Sequence, residues 1–169
     1  MNTRKIVSMN QSLATSENIV LPGDTNAHDT LFGGLLMKHI DEVAAISARR
    51  HCRGAVVTAS NDGVHFHQPI QRDDIVTLQS YVCSVGRSSM EVFVKILTEN
   101  CTRNDQKKIA AISFLTFVGL DQNGKPTEVP LVEPESTEEN KVFAEREIRK
   151  QARLKKREET NALIERISG

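Results

Sequence analysis

The chain has 169 residues, the size of one domain with a single hydrophobic core. Its 22 basic residues balance 22 acidic residues, so no net charge attracts the chain to nucleic acid or to an anionic membrane. No apolar run approaches about 18 residues, and the N-terminus lacks the apolar core of a secretion signal, so we expect a cytoplasmic protein without membrane spans. The 3 cysteines have no CxxC spacing, which argues against a disulfide framework or a cysteine-built zinc site.

The predicted elements begin with a loose N-terminal arm over residues 1–11 and a weakly patterned first strand over 12–20. Pro22-Gly23-Asp24 then breaks the chain, because proline and glycine favour turns. A long helix follows the Gly33–Gly34 pair, and Gly54 is a natural stop for it. Its apolar and polar residues fall on opposite arcs if each residue advances about 100°. The apolar arc contains Leu36, Met37, Ile40, Val43, Ala44, Ser47 and Ala48.

After Gly54 the hydrophobic period changes from that of a helix to that of a strand. Four segments rich in valine, isoleucine, threonine and phenylalanine follow, and each is bounded by turn residues. They cover residues 55–70, 74–85, 89–101 and 108–120. Because the breaks between them are short, we predict antiparallel hairpins, since parallel strands need long crossovers. The predicted fold class is α+β, with the long helix packed on one face of a single antiparallel sheet.

Beyond Pro134 the composition changes to glutamate, lysine, arginine and good helix formers. We predict a charged helical tail over 135–169, with Ser136 or Thr137 as its N-cap. Its apolar residues are sparse and keep no heptad, so we expect a solvated helix docked on its own domain or on a neighbouring subunit. A basic membrane helix is disfavoured, because acidic residues are interleaved throughout the tail.

Polar and glycine residues around the long helix can carry chemistry. The helical turn that starts at Gly33–Gly34 presents unpaired N–H groups that suit an oxyanion, although the glycines can equally serve close packing. Asp41, at the margin of the apolar arc, can act as a general base or nucleophile, or can form an ion pair with Lys38. Asn26 can orient a water or a carbonyl, or can simply form a turn. His28 can belong to the same site or to the loop alone.

Other motifs are weaker. His65 and His67 share one face of a predicted strand, but no third ligand of suitable spacing accompanies them, so we expect no metal site. The sequence has no GxGxxG, Walker-type, GxSxG or HExxH motif. Basic residues are not interleaved with aromatic residues, so we expect no nucleic-acid partner.

Taken in order, these features resemble the hotdog-fold acyl-CoA thioesterases, specifically the cytosolic acyl-CoA hydrolase family. The resemblance covers about residues 12–130 and implies a hotdog domain, which we place at 12–134. In that fold, a sheet of about five to six strands wraps the long helix. Two protomers pair their sheets edge to edge, and the dimers often assemble as trimers of dimers. The matching pieces are Asn26, Phe32-Gly33-Gly34, Leu36-Met37, Asp41-Glu42, VTASNDGVHFHQPI at 57–70, VGRSSMEVFVKI at 85–96 and AAISFLTFVGLDQNGKP at 110–126.

The resemblance implies hydrolysis of fatty acyl-CoA to free fatty acid and CoA, with no metal or redox cofactor. Asp41 would be the general base or nucleophile, and Asn26 from the opposite protomer would hold the carbonyl or the attacking water. The backbone at Gly33–Gly34 would stabilise the thioester oxygen. Gly86-Arg87-Ser88-Ser89 would meet the pantetheine or nucleotide part of CoA, and His28 is a further candidate for substrate binding.

Two positions depart from the family pattern, in which glycine usually stands in place of Asp29 and Asp73. Asp29 adds an acid near the proposed site, where it can cap the helix or disfavour an anionic ligand, whereas Asp73 is expected to change only a turn. Two other functions fit less well. One is a non-catalytic acyl-CoA-binding or sensing module, and the other is a hotdog dehydratase, for which His28 with Asp41 is a loose match.

Overall fold

The computed structural model describes residues 4–169. Its strands are β1 (Ile6–Ser8), β2 (Ala14–Ile19), β3 (Ala55–Phe66), β4 (Ile75–Val85), β5 (Ser89–Asn100), β6 (Asp105–Leu120) and β7 (Leu131–Glu133). Its helices are α1 (Gly33–Cys52), α2 (Thr137–Ala144) and α3 (Arg146–Ser168). Five strands form one antiparallel sheet in the order β2–β4–β5–β6–β3, and β1 pairs with β7 in a separate two-stranded sheet. The predicted α+β class and the single large sheet around one long helix are confirmed.

α1 packs on the sheet through a narrow stripe of side chains. The fully buried members follow a helical period, because residues 3 or 4 apart lie on one face; they are Leu36, Ile40, Val43, Ala44, Ser47, Ala48 and His51. Met37 was expected on this face but is 50% exposed, since it lies about 100° around the helix from Leu36. The helix ends in a left-handed residue at Arg53 (φ 56°), one position before the glycine predicted to stop it.

The connection between β3 and β4 differs from the prediction. These strands are not a hairpin, because β5 and β6 lie between them and β3 occupies the edge of the sheet. Residues 67–74 cross the end of the sheet, and Ile70 accepts a hydrogen bond from the Leu31 amide at 2.8 Å. Eight residues reach about 26 Å when extended, whereas three strand spacings need only about 15 Å. A short break therefore permits a crossover as well as a hairpin. The hairpins β4–β5 and β5–β6 are as predicted.

The N-terminal arm is not loose over residues 6–11, contrary to expectation. β1 runs parallel to β7, with Ile6 opposite Leu131. Val7 and Met9 are buried, and Met9 packs in a second apolar cluster on the sheet face opposite α1. Two buried apolar side chains and one strand pairing are enough to dock so short a segment. Residues 1–3 of the predicted arm lie outside the described part of the chain.

The charged tail forms two helices instead of one. Ser136 caps α2, as predicted, because its hydroxyl accepts from the Glu139 amide at 3.1 Å while the Glu139 carboxylate accepts from the Ser136 amide at 2.9 Å. Val142 and Phe143 pack against the second apolar cluster. The tail therefore docks on its own domain, while α3 beyond residue 154 is exposed. Among residues 4–169, no helix is long and apolar enough to cross a membrane.

Candidate active site

Asp41 lies half-buried in the middle of α1, where a strand residue holds its carboxylate. The Thr58 hydroxyl on β3 donates to Asp41 Oδ1 at 2.9 Å. The alternative ion pair with Lys38 does not form in the described structure, because Lys38 pairs with Glu42 at 3.7 Å. The carboxylate is thus oriented by a neutral donor and is free of a paired cation among residues 4–169. A carboxylate in this state can accept a proton or attack an electrophilic carbon.

Sequence reasoning missed Thr58. Threonine is a common strand residue, and the strand period places it on the same face as Val56 without showing which helical residue it meets. The contact joins residues 17 apart in sequence and depends on how α1 crosses β3. Thr58 does lie in the segment 57–70 that resembles the thioesterase family, but the resemblance implied no role in the site for that segment.

Asn26 shapes the loop before α1. Its Oδ1 accepts from the His28 amide at 2.9 Å, and its Nδ2 donates to the Thr30 hydroxyl at 2.9 Å. These bonds are typical of a turn-forming asparagine, so Asn26 stabilises the turn in this loop. The Asn26 side chain is nevertheless exposed. Its Oδ1 also accepts from the Thr30 amide at 3.3 Å, so the second N–H of Nδ2 is the group left to donate to a ligand. His28 is also exposed in this loop.

The two glycines at the start of α1 differ in what a side chain at their position would contact. A Cβ on Gly34 would meet the Phe32 ring at 2.6 Å, so that position is reserved for close packing. A Cβ on Gly33 would meet nothing within 4 Å, so the backbone there is open to an approaching group. The N-cap residue, Phe32, offers no side-chain acceptor to the first helical amides. These N–H groups are therefore available to an oxygen that carries negative charge.

A concave cavity of about 330 Å³ opens beside this helix start. Polar groups line one part of it and apolar side chains the rest; the residues are Asn26, Thr30, Leu31, Gly33, Phe66, Pro69 and Ile70. The structure thus brings Asn26 and Gly33 to one cavity. Asp41 is not part of its lining. A cavity of this kind can orient a polar group near the helix start and hold an apolar chain against Leu31, Phe66 and Ile70.

The predicted CoA-binding turn, Gly86-Arg87-Ser88-Ser89, lies at the other end of the domain. Ser89 pairs with Val118 at the end of β6 that also pairs with Ala55, the first residue of β3. The Asn26 cavity instead adjoins Phe66, the last residue of β3. α1 runs between these two ends and spans about 30 Å. Within one chain the predicted site residues therefore form two separate groups, with Asp41 between them.

Asp29 and Asp73 have backbone conformations that explain why the family pattern has glycine at these positions. Both lie in the left-handed region, with φ of 59° and 67°, where glycine is favoured and aspartate is one of the few tolerated alternatives. Asp29 pairs with Arg72 at 3.1 Å. It does not cap α1, whose N-cap is Phe32. Asp73 lies in a turn, and the expectation that aspartate there changes only this turn stays a prediction.

β3 presents an edge without a partner in the described structure. It is the last strand in the order of the five-stranded sheet, and it is 12 residues long. Val57 and Phe66 are 48% and 55% exposed. A long edge with exposed apolar residues is a typical site of pairing with another chain.

Comparison with known proteins decides the family. A family model described as the thioesterase superfamily matches residues 28–103. An uncharacterized acyl-CoA thioester hydrolase of Bacillus subtilis (strain 168) is 52% identical over 139 residues, which cover 82% of this chain and 80% of that protein. This chain belongs to the thioesterase superfamily. Cytosolic acyl coenzyme A thioester hydrolase of Rattus norvegicus is 40% identical over 129 residues, and this thioesterase spans only 34% of its length.

Solved structures agree with this assignment. Acyl-CoA hydrolase from Staphylococcus aureus, in complex with butyryl coenzyme A, coenzyme A and coenzyme A disulfide, superposes with a TM-score of 0.93 at 42% identity, covering 97% of this chain and 99% of that one. Mutants of that hydrolase carry alanine in place of an aspartate, an asparagine or a threonine. An apo-hexameric acyl-CoA thioesterase reaches a TM-score of 0.86 at 38% identity, covering 90% of this chain and 97% of that one.

The fold of this thioesterase is therefore the hotdog fold, and the protein is a thioester hydrolase. That result favours the enzyme over the binding module and the dehydratase. The roles assigned above to individual residues remain predictions.

Proposed function

We propose that this thioesterase hydrolyses fatty acyl-CoA to free fatty acid and CoA, with Asp41 as the general base or nucleophile. The observation that carries the proposal is the Asp41 carboxylate, held at 2.9 Å by Thr58 and free of a paired cation in the described structure. The alanine mutants of the Staphylococcus aureus hydrolase replace an aspartate, an asparagine and a threonine, the residue types of Asp41, Asn26 and Thr58. The apolar part of the Asn26 cavity suits the acyl chain.

The reaction needs one proton acceptor and one oxyanion site. As a general base, Asp41 takes a proton from water while the water oxygen bonds to the thioester carbonyl carbon. As a nucleophile, Asp41 attacks that carbon itself, and water then hydrolyses the resulting anhydride. In both routes the carbonyl oxygen becomes negative, and the amides at Gly33 and Gly34 stabilise it. The C–S bond then breaks, and CoA leaves as a thiolate that takes up a proton. No metal or redox cofactor enters this scheme.

The proposed site is shared between two chains. Antiparallel pairing of the β3 edge with β3 of a second copy would place the Ala55 end of one strand beside the Phe66 end of the other. The partner's Thr58 and Asp41 would then approach the Asn26 cavity. The partner's turn at 86–89, which lies at the Ala55 end of β3, would approach the same cavity, where it would contact the pantetheine or nucleotide part of CoA. This arrangement unites the two groups of residues that one chain holds apart.

We further propose that the dimers assemble as a trimer of dimers. The hexameric thioesterase of similar fold supports this proposal. The cytoplasmic location inferred from the sequence also stays a prediction.

Replacement of Asp41 tests the mechanism. Asp41→Asn keeps the size of the side chain and its bond to Thr58 but removes the basic carboxylate, so kcat should fall at least about 100-fold. Thiol release from butyryl-CoA and from longer acyl-CoAs measures the effect. Glu42→Gln is the matched control, because it makes the same change at the next position, which is exposed, and it should retain kcat. An Asp41→Asn enzyme with normal turnover across the panel would refute the mechanism.

A further inference from the structure

Arg4 reaches the turn that the proposed function assigns to CoA binding. Its Nη2 donates to the carbonyl oxygen of Gly86 at 2.8 Å and lies 3.4 Å from that of Arg87. Its Nε donates to the carbonyl oxygen of Val129 at 2.9 Å. The carboxylate of Glu128 is 4.0 Å from the same nitrogen. A guanidinium presents five N–H donors in a planar fork, so one side chain can join the N-terminal arm, the β4–β5 turn and the segment before β7.

The other bonds of this turn leave the Gly86 carbonyl to Arg4. Gly119 donates its amide to the Ser88 carbonyl at 2.9 Å, and Val129 donates its amide to the Arg87 carbonyl at 3.0 Å. The Gly86 amide donates to the Ser89 carbonyl at 2.8 Å, which closes the turn. With Arg4 in place, each of the three carbonyls from 86 to 88 has a donor. The turn backbone is thus held from two sides.

The side chain of Arg87 remains exposed on this held backbone. An exposed guanidinium on a fixed turn can form paired hydrogen bonds with a phosphate, and a fixed geometry lowers the entropy cost of binding. A Cβ on Gly86 would meet the Ser89 hydroxyl at 2.5 Å, so the turn is closely packed as well as hydrogen-bonded. Loss of Arg4 would keep the Arg87 guanidinium but remove the donor to the Gly86 carbonyl, so the turn that orients Arg87 would be less fixed.

We propose that Arg4 is a positioning residue for recognition of the phosphate-bearing nucleotide part of acyl-CoA. The inference rests on the proposed function, in which the turn at 86–89 contacts CoA. Arg4 acts through the turn backbone and does not contact the reacting atoms. Its loss should therefore weaken binding of substrates that carry the nucleotide and leave the chemical step intact.

The test compares two substrates and four proteins. The substrates are butyryl-CoA and S-butyryl-pantetheine, which has the same thioester and the same pantetheine arm but no nucleotide. The proteins are the wild type, Arg4→Gln, Arg4→Lys and Lys5→Gln. Lys5 is exposed beside Arg4, so Lys5→Gln removes the same charge without touching the turn. Thermal unfolding of each variant checks that the fold is retained.

We expect both Arg4 variants to raise KM for butyryl-CoA about tenfold, because a lysine cannot form the fork that joins these carbonyls. Their kcat and their KM for the nucleotide-free thioester should stay within about twofold of the wild type. Lys5→Gln should behave as the wild type. An equal rise in KM with Lys5→Gln would assign the effect to charge alone and overturn the inference, as would an equal loss of kcat on both substrates.

The same experiment separates this inference from its premise. The wild type will have the same KM for both substrates only if the nucleotide does not contribute to binding. That result would overturn both the role of the turn in binding CoA and the role of Arg4. If the wild type prefers butyryl-CoA but Arg4→Gln keeps that preference, only the inference about Arg4 is overturned. The Asp41 variants test the hydrolytic mechanism independently of either result.

Discussion

At the scale of single residues, the hydrogen bond from Thr58 to Asp41 distinguishes the carboxylate from an ordinary helix-face acid. Asp41 has exposed acidic and basic neighbours on α1, yet its contact is a neutral hydroxyl on the edge strand. A neutral donor orients one carboxylate oxygen without placing a positive charge beside it, as an ion pair would. The adjacent Glu42 is paired with Lys38 and lacks this arrangement.

Removal of the Thr58 hydroxyl should therefore slow the chemical step. Thr58→Val preserves the shape of the side chain but cannot donate to Asp41. A hydrogen bond to a charged group contributes about 1.5–3 kcal/mol, so kcat should fall about 10- to 100-fold. Steady-state thiol release measures this change, and Thr58→Ser, which keeps the hydroxyl, should recover most of the rate. A Thr58→Val enzyme with wild-type kcat would show that the contact has no role in turnover.

His51 makes the folded domain sensitive to acid. It is buried at the end of α1, where its Nε2 lies 2.9 Å from the Pro130 carbonyl. Burial lowers the pKa of His51 from its ordinary value of 6.5 and outweighs the hydrogen bond to the Pro130 carbonyl, which raises that pKa; the nearby positive charge of Arg4 lowers the pKa further. The unfolded chain therefore binds a proton more readily than the folded one. The contribution of His51 to the free energy of unfolding is fully present above about pH 6.5 and is progressively lost as the pH falls below that value.

The variant His51→Gln should flatten this pH dependence. Glutamine can still donate to the Pro130 carbonyl but does not titrate, so the loss of stability between about pH 7.5 and 5 should be smaller than in the wild type. Urea unfolding at several pH values, at one fixed protein concentration, provides the measurement. His67→Gln, at an exposed position, is the control and should leave the slope unchanged. An unchanged slope in His51→Gln would show that other groups account for the acid sensitivity.

At the scale of elements, the tail is attached through a buried carboxylate on β5. Glu91 is buried, and Arg149 donates to its two oxygens through Nε and Nη2 at 3.0 Å each. Arg153 contacts the same carboxylate. The Arg149 guanidinium also lies 4.4 Å from the centre of the Phe114 ring. Burial raises the pKa of the neighbouring Cys83 thiol well above its usual range, so that cysteine remains an uncharged packing group.

Loss of this carboxylate should release α3 and destabilise the domain. Glu91→Ala leaves two partly buried guanidinium groups without their partner, an effect of about 3–5 kcal/mol on the free energy of unfolding. Urea unfolding reports the energy, and hydrogen exchange of residues 146–153 reports release of the helix. Arg157→Ala, on the exposed part of α3, is the matched control and should change stability by less than about 0.5 kcal/mol. Retained protection of 146–153 in Glu91→Ala would contradict this account.

At the scale of the whole molecule, the residues of the proposed site lie too far apart within one chain to form a complete site. The Asn26 cavity and the turn at 86–89 lie at opposite ends of the sheet, and Asp41 lies between them. The open edge of β3 supplies the geometry that would join them in a dimer. Catalysis and assembly are therefore linked in the proposed enzyme.

Mixed dimers test this link. A chain with Asn26→Ala mixed equally with a chain with Asp41→Ala should regain activity, because each heterodimer has one site with both wild-type residues. Random pairing makes half of the dimers heterodimers, so thiol release should reach about a quarter of the wild-type rate. Mixing Asp41→Ala with an Asn26→Ala/Asp41→Ala double variant is the control and should recover nothing. Mixtures that stay inactive, although exchange is shown by mass spectrometry, would place each site within one chain.

The sequence by itself determined the elements and the family. The change of hydrophobic period after Gly54 marked the strands, and the order of Asn26, Gly33–Gly34 and Asp41 pointed to the hotdog thioesterases. Local propensity and spacing carry this information, because each element buries its own apolar face.

Tertiary structure alone decided which elements meet. The place of β3 at the sheet edge, the contact of Thr58 with Asp41 and the reach of Arg4 to Gly86 join residues 17 to 82 apart in sequence or strands that are not consecutive. Such contacts depend on how the chain crosses the sheet, and no local period records that path.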